Sequence, residues 1–302
     1  MNNKDLKKVV ESALDKQKVP HVKLKKIGAS KVDVASLTEP SKETRQEYWG
    51  KGLTYCAIIL IIILVASIIG FIGFHGLETF TKDHVNVFQF LTSSDWDPGE
   101  GKNHVGAAAM IVTSFSVTLL AALVATPFAI AVALFMTEYS SKKGARFLQS
   151  VIELLVGIPS VVYGFLGLTV IVPFIRNIFG GTGFGILSAT LVLFVMVLPT
   201  ITSLTVDSLK AVPSDYRKAS LALGATKWQT IYKVILRVAS PRIMTAVIFG
   251  MARAFGEALA VQMVIGNAVL MPANLVSPSA TLTSQLTSQM GNTVMGTLPN
   301  NA

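Results

Sequence analysis

Charge is scarce in this chain. Asp, Glu, Lys and Arg together make up only 14% of its 302 residues, where a soluble domain carries about 25%. Hydrophobic residues reach 51%, with a mean hydropathy of +0.57. That leaves too few polar residues to cover a soluble domain of this length, and it is the opposite of a disordered composition. Cysteine is nearly missing as well: Cys56 stands alone, which excludes a disulfide-stapled secreted fold. The chain has no G-x-x-x-x-G-K-[ST] nucleotide loop. Its four histidines, His21, His75, His84 and His104, lie in a hydrophilic tail and one loop, so the sequence holds no zinc-type ligand cluster. No nucleophile–base arrangement stands in a plausible membrane active site. An enzyme is not expected, and the energy for any work must come from elsewhere.

What is present is long apolar runs. A membrane-spanning helix needs about 20 such residues to cross roughly 30 Å of hydrocarbon. Five stretches qualify: 53–74, 106–136, 148–172, 185–206 and 243–266. The strands of a β-barrel alternate over only about 10 residues, so these continuous runs predict a helical bundle. The 31 residues of 106–136 would extend about 46 Å as a helix. Pro127 marks a candidate kink there. The glycine-rich stretch 180–185 has no Lys after it and reads as a turn between spans.

The net charge of +9 would raise the question of nucleic acid in a soluble protein. Here it sorts by side. Lys and Arg number 12 in residues 1–52, three in 138–147 and seven in 207–242, against two in 75–105, one in 173–184 and none in 268–302. Alternating spans put 22 on one face and three on the other. The positive-inside rule then predicts a cytoplasmic N-terminal tail (1–52) and cytoplasmic 138–147 and 207–242 loops. It places the acidic 75–105 loop and the 267–302 segment outside. The membrane core is 106–266, with the 207–242 loop inside it, and no nucleic-acid partner is expected.

Few residues inside the spans carry polar chemistry. Arg253 and Glu257 are four apart in the fifth run, which predicts a shared helix face. A charge at mid-bilayer costs about 2.5–3.5 kcal/mol on insertion scales. Two readings stand: an anion-coordinating Arg held by Glu, or an internal ion pair that fixes packing. The planar guanidinium fork suits oxyanions. Glu153 sits about one turn into the third run, where interfacial or interhelical pairing is the simpler role. Gly157, Pro159 and Ser160 follow on the same predicted helix, as a packing kink or as a flexible point lining a pathway. In the 207–242 loop, Ser214 or Asp215 is a helix N-cap, 216–223 a short helix and Gly224 its stop. A second amphipathic stretch follows from 227 to 238. Such a unit serves either as a docking site for a cytoplasmic partner or as a plain interfacial helix pair.

The loop resembles the coupling loop of binding-protein-dependent ABC importer permeases. The matching positions are Lys218-Ala219-Ser220, Gly224 and Val234-Ile235-Leu236-Arg237, within LALGATKW at 221–228. The spacing is kept, but Lys218 stands for a Glu, Ser220 for an Ala and Arg237 for a Pro. Leu223 lies in the same match. Three more segments are similar to those of the phosphate permeases: FLTSSDWDP at 90–98, ELLVGIPSVVYG at 153–164 and RAFGEALAV at 253–261. The resemblance runs from about Tyr55 to Thr297. It implies an all-α polytopic MetI-like permease bundle in the cell membrane, with lipid around it. The implied partners are a paralogous permease subunit, two ATPase subunits that hold ATP and Mg, and an extracytoplasmic phosphate-binding protein. No cofactor is implied in this chain. Arg253 would be an oxyanion contact in the path, with Glu257 as its partner. Sulfate or molybdate permeases, or a non-transporting scaffold or sensor subunit, are the alternatives. Such permeases have six spans; five are visible here, and a sixth is expected where the chain reaches Ala302.

Overall fold

The computed structural model describes residues 42–99 and 104–289. Most of the expected 1–52 tail, and residues 290–302 of the last segment, lie outside them. The described chain is helical, and five of its helical stretches are long and apolar enough to cross a membrane: Glu47–Thr81, Ala108–Tyr139, Ser160–Phe179, Ile186–Lys210 and Lys227–Phe255. The all-α polytopic fold is therefore the one found.

The described residues form two units divided at Ile68, within α1 (Lys42–Thr81). α1 starts eleven residues before the apolar run, because the polar stretch ahead of it continues the same helix. Its side chains between Leu53 and Phe74 are exposed, as an apolar helix in lipid requires.

In the second unit, a short α2 (Val87–Thr92) is capped by the Asn86 carboxamide oxygen, which accepts from the Phe88 N–H at 2.9 Å. The chain returns through a bridge between Trp96 and Val105, and Gly106 packs so tightly on Ser93 that a Cβ there would meet its carbonyl at 2.3 Å.

Two long helices form the centre, α3 (Ala108–Leu134) and α7 (Ile186–Lys210). Lipid tails are as apolar as leucine, so helices in a bilayer associate through close packing of small residues. α3 supplies them at every fourth position: Ala121, Ala125, Ala129 and Ala133 are all fully buried. Phe115, Leu119, Leu123 and Phe128 stand exposed on the same helix. Pro127 lies inside α3, which runs on without a break and passes into a π-helical turn at Phe135–Tyr139.

The third run corrects the sequence reading. It is two helices, α4 (Lys142–Gly157) and α5 (Ser160–Leu166), and the span proper continues through a π turn to α6 (Val172–Phe179). Pro159 has no N–H to donate and disfavours helical geometry in the residue before it. Ile158 is accordingly extended, at φ −69° and ψ 129°. α4 is thus an amphipathic helix outside the span, with Lys142, Lys143 and Arg146 exposed. The glycine turn holds as expected: Gly180, Gly181 and Gly183 all take left-handed backbone angles, φ 76°, 69° and 81°.

After α7 come α8 (Ser214–Ala222) and a one-turn α9 (Lys227–Gln229). α9 is continuous through a π turn at Thr230–Ile235 with α10 (Leu236–Phe255). The second amphipathic stretch and the fifth span are therefore one helix. Pro241 lies within α10, and the carbonyl of Arg237 that it leaves without a donor accepts from the Ser240 hydroxyl at 2.9 Å. The helix stops at Gly256. A short α11 (Leu259–Ile265) and α12 (Leu282–Gln289) complete the unit.

Candidate functional site

Arg253 is placed by a close crossing of α7 and α10. Gly250, one turn earlier, is buried against Ile201 and Val197; a Cβ at Gly250 would meet Ile201 at 2.5 Å. This approach brings Arg253 beside Thr200, and its Nη1 donates to the Thr200 hydroxyl at 2.8 Å. Among the described residues Thr200 is its one hydrogen-bond acceptor, although a guanidinium has five N–H donors. The half-buried side chain keeps the rest of its fork available.

Glu257 does not sit on the same helix. Because α10 ends at Phe255, Glu257 falls in the break, and its carboxylate accepts the Ala260 N–H at 3.1 Å. A carboxylate there satisfies an orphan donor at the start of α11 and complements its positive end. The Glu257 carbonyl accepts from the Thr283 hydroxyl at 2.8 Å. Among the described residues Arg253 and Glu257 form no ion pair. The four-residue spacing predicted a shared face only for an unbroken helix, and Gly256 interrupts it.

Glu153 is likewise moved. It is exposed on α4, outside the span, where its carboxylate accepts from the Gln149 carboxamide at 2.9 Å. Gly157 and Pro159 form the exposed joint, and Ser160 opens α5. The joint is tied across by Tyr163, whose hydroxyl donates to the Leu155 carbonyl at 2.7 Å.

The 207–242 segment builds a second site. α8 begins at Ser214 with Pro213 as its cap and no side-chain hydrogen bond, so neither Ser214 nor Asp215 is the N-cap. Gly224 turns the chain at φ 82°, with open space around its Cβ position. Thr226 and Gln229 then form a reciprocal capping box that starts the next helix. Lys218 is exposed and pairs with Asp215 at 3.5 Å. Ala219 is exposed, and the Ser220 hydroxyl bonds Thr230 across the turn at 2.9 Å. Leu223 is 90% exposed, and Trp228 and Tyr232, also exposed, stack their rings 6.4 Å apart at 10°.

Two residues that hold this site escaped the sequence reading. Arg217 donates from Nη2 and Nε to Glu138 Oε1, at 2.6 and 3.1 Å. It also donates to the carbonyls of Val212 and Leu209, at 3.2 and 3.4 Å. Glu138 lies in the π turn that ends the α3 span, 79 positions away. Lys227 reinforces the contact by donating to the Glu138 carbonyl and lying 4.5 Å over the Tyr139 ring. The available signal was a lone carboxylate closing a charge-free run.

Comparison with known proteins fits this picture. Residues 125–299 match the family model for the binding-protein-dependent transport system inner membrane component. A probable ABC transporter permease protein, YqgH of Bacillus subtilis, is 51% identical over 86% of this chain and 85% of its own. The phosphate transport system permease proteins PstC of Mesorhizobium japonicum and Xylella fastidiosa are 33% and 31% identical, over 78% and 83% of this chain and 77% and 82% of theirs. A solved inward facing MetNI methionine ABC transporter is 24% identical, with a TM-score of 0.48, over 65% of this chain and 83% of that one. The chain belongs to the inner-membrane permease components of binding-protein-dependent transport systems, a transport family and not a catalytic one.

Proposed function

We propose that this chain is the phosphate-translocating permease subunit of an ATP-driven importer, with Arg253 as an oxyanion contact in the path. The observation that carries the reading is a guanidinium on a membrane-spanning helix with one protein acceptor, Thr200, and donors to spare. Its similarity to PstC proteins over most of its length supports phosphate as the anion. A second permease subunit supplies the other wall of the path, and an extracytoplasmic binding protein delivers the anion. The end bearing Arg217 faces the cytoplasm, as the excess of Lys and Arg there favours. There the exposed Leu223, Trp228 and Tyr232 are an apolar face for a cytoplasmic ATPase. Lys218, held by Asp215, leaves that contact to shape more than to charge.

The test is phosphate uptake by the assembled transporter carrying Arg253→Ala. A hydrogen bond to a charged group contributes about 1.5–3 kcal/mol, so uptake falls about 10- to 150-fold at equal expression. Unchanged uptake refutes the assignment. Sulfate competing as well as phosphate in the wild type would shift the anion class while leaving the role of Arg253 in place.

A further inference from the structure

On one side of the Arg253–Thr200 contact, α7 and α10 flank an open, shallow groove of about 310 Å³. Its polar lining is Asp207 and Ser208 from α7 and Arg242 and Thr245 from α10, with Phe249 forming part of its wall. Arg253, Phe249, Thr245 and Arg242 succeed one another at four, four and three residues, the spacing of a single helix face. Thr200, Leu204 and Asp207 do the same on α7. At 1.5 Å per residue, Arg242 lies about 16 Å along the axis from Arg253, roughly half the hydrocarbon thickness. The two guanidiniums thus mark the two ends of one stripe.

The groove is lined mostly by apolar surface, and its polar groups are few. The Ser208 and Thr245 hydroxyls donate to their own helix, to the Leu204 carbonyl at 2.7 Å and the Pro241 carbonyl at 3.0 Å. Arg242 is then the one cationic donor in the lining. It is exposed and has no hydrogen-bond or ion-pair partner among the described residues. Asp207 shares the groove, is exposed, and is not paired with it.

We propose that Arg242 is a second oxyanion contact, at the cytoplasmic mouth of the path, which takes the hydrated phosphate after Arg253 and releases it. Asp207 keeps its residence short by repulsion. This rests on the reading of Arg253 as a path contact. A lipid headgroup offers Arg242 the same phosphate chemistry, and the experiment separates the two.

The whole transporter, with its partner subunits, is prepared with Cys56→Ser and Arg242→Cys. It is treated with a cationic or an anionic methanethiosulfonate, then reconstituted for ATP-driven phosphate uptake. Uptake falls at least fivefold in Arg242→Cys, the cationic adduct restores it to within twofold, and the anionic adduct does not. Arg242→Lys retains most activity. Asp207→Asn strengthens inhibition by phosphate loaded in the lumen at least threefold. The same charge dependence is expected in vesicles of phosphatidylcholine alone and in vesicles with added phosphatidylglycerol. A charge requirement seen only with phosphatidylglycerol assigns Arg242 to headgroups and overturns the proposal. So do equal effects of the two adducts, or loss of the partner permease from the purified Arg242→Cys complex. Arg253→Ala read in parallel separates the two assignments: inactive Arg253→Ala with charge-insensitive Arg242 overturns only the second contact. Active Arg253→Ala with charge-dependent Arg242 discards the first contact and the hand-over from it, and leaves Arg242 as a path contact on its own.

Discussion

Replacing Arg217 by Ala removes the clamp between α8 and the end of the α3 span. The side chain is 28% exposed and its partner Glu138 10% exposed. It makes two bonds to one carboxylate oxygen, at 2.6 and 3.1 Å, and two longer bonds to carbonyls. Stripping one partner from a fully buried pair costs about 3–5 kcal/mol. Partial exposure of Arg217 screens the charge, and Lys227 remains at the Glu138 carbonyl, which brings the expected cost to about 2–3 kcal/mol. At 1.36 kcal/mol per tenfold, local opening of α8 becomes about 30 to 150 times more frequent. Hydrogen exchange reads this directly. The amides of Leu223, Gly224 and Ala225 are held by the carbonyls of Ala219, Leu221 and Ser220, and their protection falls by that factor. Glu138→Gln keeps an acceptor and loses the charge, so it costs less, and the double-mutant cycle returns a coupling of about 1–2 kcal/mol. Protection within threefold of wild type in Arg217→Ala, or a coupling below about 0.5 kcal/mol, refutes the clamp.

Three further outcomes follow from the geometry. Gly250→Ala forces α7 and α10 apart at Ile201; overpacking of this kind costs about 1–3 kcal/mol, visible as a lower Tm in detergent together with reduced uptake, and an unchanged Tm counts against the crossing. Gly224→Ala places a Cβ at φ 82° in open space, costing about 1–2 kcal/mol of backbone strain; the loss is expected in co-purification of the ATPase, with uptake-independent stability of the spans retained. Glu257→Gln keeps an acceptor for the Ala260 N–H and preserves expression and Tm, whereas Glu257→Ala costs about 1 kcal/mol as a lost cap; equal damage from both would favour a role for its charge.

The sequence reading succeeded where a property sums along the chain. The five apolar runs were legible because about 20 residues of hydropathy carry each one, and Gly224 and the 180–185 turn because left-handed glycines leave a local signature. It failed where one residue breaks the sum. Pro159 lies within an uninterrupted apolar run, and only its effect on Ile158 shows that the run is an amphipathic helix followed by a shorter span. Gly256 separates Arg253 from Glu257 in the same way. The first break takes Glu153 out of the span, and the second takes Glu257 off the helix that carries Arg253.

Residence in a membrane, the number of described spans and the side-to-side imbalance of Lys and Arg were determined by the sequence alone, since transfer into lipid depends on composition along each segment and hardly on what surrounds it. Which donor meets which acceptor was decided only by the tertiary structure. Arg253 reaches Thr200 across 53 positions and Arg217 reaches Glu138 across 79. Those meetings depend on the register in which α3, α7 and α10 pack, and that register is set by small residues such as Ala121 and Gly250, whose effect appears only when a second helix lies against them.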